Sequence, residues 1–110
     1  MSREIVAIAA DHGGYEMKEL LKADLVGLGF DVLDLGTNNA DSVDYPDFGH
    51  AIGEAIANSQ ARYGVAICGS GIGISIAANR HANVRAALCH DGLTAKLSRQ
   101  HNNANVLALG

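Results

Sequence analysis

Tryptophan is absent from this 110-residue chain, proline occurs once, and aromatic residues make up only 5% of the total. So few rings leave no platform on which successive bases could stack. Cationic residues are also scarce: 8 Lys and Arg stand against 12 Asp and Glu, giving a formal charge of -4. Without a basic run, the neutralised phosphates that hold a nucleic acid have no counterpart, and a nucleic-acid partner is disfavoured. No apolar stretch approaches the about 20 residues that a membrane span needs. Met1 to Ala10, with Arg3 and Glu4 beside a short apolar run, is too brief and too acidic for a signal peptide. The sequence therefore predicts a cytoplasmic protein without membrane contact. Cysteine is limited to Cys68 and Cys89, in apolar surroundings and at no zinc-ligand spacing, so free thiols and no metal site are expected.

What the chain has in quantity is small and branched aliphatic residues, within a hydrophobic share of 48%. Its length suits one domain, spanning residues 1–110, that buries roughly two-thirds of its surface. Ala, Val, Ile and Leu pack well where helices lie close on a sheet.

Five apolar runs read as strands: Glu4 to Ala9, Phe30 to Leu35, Gly64 to Cys68, Arg85 to Cys89 and Asn105 to Leu109. Between them lie four helical patterns. Met17, Leu20, Leu21, Leu25 and Leu28 recur at helical spacing after Tyr15, with Gly27 and Gly29 as a stop. Pro46 suits a helix start, and Phe48, Ile52, Ala55 and Ile56 follow on one face. A small-residue helix runs to Asn79, and a last one covers Gly92 to Gln100. Strands and helices that alternate through short connections imply parallel strands and right-handed crossovers, hence a three-layer α/β/α sandwich with a Rossmann-like five-stranded sheet. Ligands in such sheets bind at the carboxyl ends of the strands, which singles out Ala10 to Gly14, Gly36 to Pro46, Cys68 to Gly73 and Cys89 to Gly92.

Gly69-Ser-Gly-Ile-Gly73 joins a strand to a helix, where glycines let backbone amides converge on an anion. It lacks the sixth-position glycine of a dinucleotide fingerprint, since Ile74 stands there, and it lacks the ending of a P-loop. Cys68 precedes those glycines, facing the unpaired amides of a helix start; as a small buried hydrophobe it would equally suit the end of an apolar strand. Cys89 has no glycine loop behind it, so packing is expected. Asp11 and His12 place a carboxylate and an imidazole at the end of the first strand. His101, Asn102 and Asn103, between the last helix and the last strand, are expected on the same face. Helix capping by Asp11 and His101 is the plainer alternative. His50, His81 and His90 read as isolated surface or packing residues.

Asp11-His-Gly-Gly14, Asp44-Tyr-Pro46, Cys68-Gly-Ser-Gly-Ile-Gly-Ile-Ser-Ile-Ala-Ala-Asn79 and Ser98-Arg-Gln-His-Asn102, in this order, resemble the type B ribose-5-phosphate isomerases. Those enzymes belong to a sugar-phosphate isomerase family that includes galactose-6-phosphate isomerase subunits. The resemblance covers the whole chain. It implies interconversion of ribose 5-phosphate and ribulose 5-phosphate, a step of the pentose phosphate pathway, through an enediolate and without metal or coenzyme. It further implies that Asp11 and His101 open the sugar ring, with His101 supplied by a neighbouring subunit of a homodimer or homotetramer. Cys68 would carry the proton between C2 and C1, and Ser70 would move protons between the oxygens. Gly69, Gly71, Ile72 and Gly73 would receive the developing charge, with Tyr45 and Asn102 as substrate contacts and His12 as a phosphate contact.

Family members usually continue for some forty residues, through a C-terminal helix whose arginines hold the phosphate. That helix is absent here, so the sequence predicts a C-terminally truncated chain with weakened phosphate binding. Arg80, Arg85 and Arg99 do not match those arginines and are expected to be bystanders. The alternatives are a non-catalytic sugar-phosphate-binding domain, an isomerase of a hexose 6-phosphate such as allose or galactose 6-phosphate, and a nucleotide-binding module in which Asp91 contacts a ribose.

Overall fold

A computed structural model describes residues 3–110. The apolar runs become β1 (Ile5–Ala10), β2 (Asp31–Asp34), β3 (Tyr63–Ile67), β4 (Ala86–Leu88) and β5 (Val106–Leu109). Helices α1 (Tyr15–Gly27), α2 (Tyr45–Ala57), α3 (Ile72–Asn79) and α4 (Gly92–Asn102) alternate with them, and one 3-10 turn, His12–Gly14, precedes α1. All strand pairs are parallel, in the order β2-β1-β3-β5-β4. From β1 the chain moves outward to β2, then crosses back to β3 on the other side. That reversal opens a crevice at the carboxyl ends of β1 and β3.

Successive strand residues point to opposite faces, so each face has its own core. Ala7, Ala9, Ala66 and Val106 pack with Ile52 and Ala55 of α2 and Ile74 and Ala78 of α3. Val6, Ile8, Ala10, Val65 and Ile67 pack on the other side with Leu21 and Leu25 of α1. Small residues set the spacing on the first face: a Cβ at Gly49 of α2 would lie 2.6 Å from the Cβ of Ala77 of α3. The two helices therefore touch almost backbone to backbone.

Two sequence expectations need correction. Of the apolar residues expected on the packed face of the first helix, Leu20 in α1 and Leu28 just after it are 70% and 75% exposed, whereas Lys18 is fully buried. The reason is an ion pair: Lys18 Nζ donates to Asp34 Oδ2 at the end of β2, 2.7 Å away, and to Glu19 Oε1 at 2.9 Å. Burial pushes the Asp34 carboxyl up, but the Lys18 and Lys22 ammonium groups and the Gly36 amide outweigh it, and the net shift is below the ordinary 3.8. Helix α4 buries none of its residues and leaves Leu93 and Leu97 exposed. His50 and His81 are not isolated: Nδ1 of His50 and Nε2 of His81 lie 3.0 Å apart where α2 meets the end of α3. The His81 ring occupies the space over Gly53 that any side chain there would need.

Candidate active site

The carboxyl ends of β1 and β3 bring two of the expected groups together. Asp11 follows β1, is buried, and its amide donates to the Ile67 carbonyl at 3.1 Å. Its Oδ1 accepts the Gly14 amide at 3.2 Å, so the capping alternative holds for that oxygen. Gly13 lies against Gly69: a Cβ there would meet the Gly69 Cα and the Asp11 Oδ1 at 3.3 Å each. The β1 turn and the glycine-rich turn after β3 thus share one wall.

Cys68 directly follows β3 and is 5% exposed. The Gly71 amide donates to its Sγ at 3.1 Å, and α3 starts one residue later. Gly71 has φ +78°, and a Cβ would stand 2.8 Å from the Leu109 carbonyl carbon, so the turn requires glycine on both counts. Ser70 Oγ accepts the Ile72 amide at 3.2 Å, which leaves its hydroxyl proton free to be given elsewhere. The Tyr45 ring covers Gly73, where a Cβ would come within 2.6 Å of Cε1, and this carries the start of α2 to the start of α3. His12 is tied to the loop before α2, because its Nδ1 accepts the Val43 amide at 3.1 Å. The same Nδ1 lies 3.2 Å from the Val43 carbonyl, so both backbone polar groups of Val43 hold the ring.

His101 and Asn102 are not on this face, contrary to the sequence expectation. A helix that follows one parallel strand and feeds the next must run antiparallel to both, so the end of α4 returns to the amino edge. There the Asn102 carbonyl accepts Arg85 Nε at 2.6 Å, just before β4. The Asn105 carbonyl accepts the Gly64 amide at the start of β3, whereas the Leu109 carbonyl accepts the Cys68 amide at its end. Four strand steps separate those levels, about 13 Å at roughly 3.3 Å each. One chain therefore keeps Asp11 and Cys68 at one edge of the sheet and Asn102, with His101 beside it, at the other.

Asp91, the acid of the nucleotide alternative, is occupied as the cap of α4. Its Oδ1 accepts the Thr94 amide and hydroxyl, both at 2.7 Å, and the amide first among these holds its carboxyl below the ordinary range. Cys89 is buried and free, as expected. Among the described residues, no three His, Cys, Asp or Glu side chains are grouped to hold a metal, and no helix is long and apolar enough to cross a membrane. The buried Lys18 and the His50–His81 contact escaped the sequence reading; only Asp34, an acid ending an apolar strand, hinted at a cation opposite.

The Ribose/Galactose Isomerase family profile matches residues 6–110. Ribose-5-phosphate isomerase B of Escherichia coli (strain K12) is 44% identical over 105 residues, which are 96% of this chain and 70% of that protein. Ribose-5-phosphate isomerase B of Clostridium thermocellum superposes with a TM-score of 0.95 at 47% identity, covering 96% of this chain and 72% of that one. The Thermotoga maritima structure of the same description gives 0.94 at 46% identity, covering 98% and 74%.

Proposed function

The chain belongs to the ribose/galactose isomerase family, and on that premise we propose that it interconverts ribose 5-phosphate and ribulose 5-phosphate. The observation that carries the reading is the Cys68 thiol. It is buried at a strand end, is hydrogen-bonded by the Gly71 amide of the glycine turn, and shares a wall with Asp11.

Ring opening requires an acid and a base near the ring oxygen and O1, roles given to Asp11 and His101. Cys68 Sγ then takes the proton from C2. The C2–H electron pair forms the C1–C2 double bond while the carbonyl pair moves onto O1, which amides of Gly69 to Gly73 face. Sγ returns the proton to C1, and the Ser70 hydroxyl passes the O2 proton to O1. The product is a ketose, with no change in overall oxidation state. Tyr45, Ile72 and Asn102 act as substrate contacts and His12 as a phosphate contact.

Since one chain keeps Asp11 and His101 at opposite edges, a working site needs His101 and Asn102 from a second copy, in a homodimer or homotetramer. Exposed Ile72, Ile76, Leu93 and Leu97 provide apolar surface for such an association, and a cytoplasmic location fits the reading. The test is ketose formation from ribose 5-phosphate. Binding without ketose would leave a sugar-phosphate-binding domain, and turnover of allose or galactose 6-phosphate alone would move the substrate to the hexoses. Mixing inactive Asp11→Ala and His101→Ala chains should restore activity, because one hybrid site regains both residues. No restoration with proven subunit exchange would place both residues in one chain's site.

A further inference from the structure

The amino edge of the sheet holds a cavity of about 450 Å³, remote from Cys68 and Asp11. Arg62, Arg85 and Arg99 line it, together with Asn83, Asn103 and Asn105, and no Asp or Glu is among its lining residues. This is unexpected in a chain whose acids outnumber its cations, 12 to 8. Arg85 and Arg99, expected to be bystanders, are fixed in place. Arg85 Nε donates to the Asn102 carbonyl at 2.6 Å, and its two terminal nitrogens have no hydrogen-bond partner among the described residues. Arg99 is held by the Ala104 carbonyl, by Asn103 Oδ1 at 3.3 Å and by the Tyr63 hydroxyl at 3.4 Å.

Arg62 and Arg99 both lie over the Tyr63 ring, 5.4 and 5.1 Å from its centre. Two like charges on one ring repel each other, and the carboxylate that meets them, Glu4, reaches only Arg62 Nη1, at 3.4 Å. The cavity thus has pre-positioned guanidinium donors and a deficit of negative charge.

We propose that this cavity binds a phosphate monoester dianion at a site separate from the isomerisation site. Guanidinium forks match phosphate oxygens. Asn105 is engaged with the Asn83 carbonyl and the Arg85 amide, and the side-chain amides of Asn83 and Asn103 suit hydroxyl groups on the attached carbon chain, for which the volume leaves room. None of its lining residues is given a role in isomerisation, although the Asn102 carbonyl holds Arg85 Nε.

The probe is glycerol 3-phosphate, titrated into the full chain while the Nε–Hε resonances of the three arginines are followed by NMR. Saturable shifts are expected at Arg85 and Arg99. Arg85→Lys should weaken binding by about tenfold, the scale of one lost charge-assisted hydrogen bond. Arg62→Ala should weaken it by roughly threefold and leave the KM for ribose 5-phosphate unchanged; that side chain is 75% exposed, so its loss cannot compromise folding. His12→Ala should leave these shifts intact. The proposal is overturned if no saturable shift occurs at the arginines, or if His12→Ala removes the shifts while Arg62→Ala does not.

Discussion

The two edges of the sheet handle charge by different means. At the carboxyl edge the working parts are short: a thiol, a carboxylate, and amides exposed by glycine, all held by backbone geometry. At the amino edge they are long arginine side chains braced on carbonyls and on one tyrosine ring. A strand feeding a helix presents amides, and these suit a charge that develops during reaction. A helix returning to a strand presents carbonyls, which repel anions, so anion recognition there falls to side chains. The first edge should tolerate almost no change, and the second a good deal.

The largest effect should come from Cys68→Ala. Removing a proton-transfer group lowers turnover by about 10² to 10⁴. Solvent deuterium exchange at C2 should vanish while KM stays nearly unchanged; exchange at the normal rate would mean that another base acts. Next is Gly71→Ala, which forces a Cβ into positive φ and against the Leu109 carbonyl. A loss of about 2–4 kcal/mol is expected in urea unfolding, against less than about 0.5 kcal/mol for Arg62→Ala at the opposite edge. Similar losses from the two would erase the contrast between the edges.

Lys18→Met should be intermediate. It leaves Asp34 with Lys22, whose Nζ also stands 2.7 Å from Oδ2, so the cost should be about 2 kcal/mol rather than the full penalty of an orphaned buried charge. Asp34 also gives the carboxyl edge an acid limit. Its folded pKa lies below 3.8, so its contribution is present above that value and disappears as pH falls through the folded pKa. Asp34→Asn should flatten this limb in stability measured between pH 5 and 2. An unchanged limb would place the acid sensitivity elsewhere.

Much of the carboxyl edge was legible in the sequence because its determinants are local. Apolar runs give strands, Pro46 starts a helix, and the glycines after Cys68 mark a tight turn into a helix. Strand ends moved by a residue or two without consequence. Less legible was whatever depended on a partner distant in sequence. Lys18 looks like the polar face of an amphipathic helix until Asp34 comes beside it, and His50 and His81 lie 31 positions apart. His101 differs for another reason: it lies next to a strand in sequence, but the direction of α4 sends it to the edge opposite the site.

By itself the sequence determined the α/β alternation, the parallel sheet and the glycine turn behind Cys68, because each follows from residue periodicity or backbone freedom over a few positions. Only the tertiary structure decided the strand order, the burial of Lys18, the histidine contact, the gathering of three arginines in one cavity and the separation of His101 from Cys68. These depend on which elements become neighbours and at which end, and that is fixed by packing of the whole sheet between its helices.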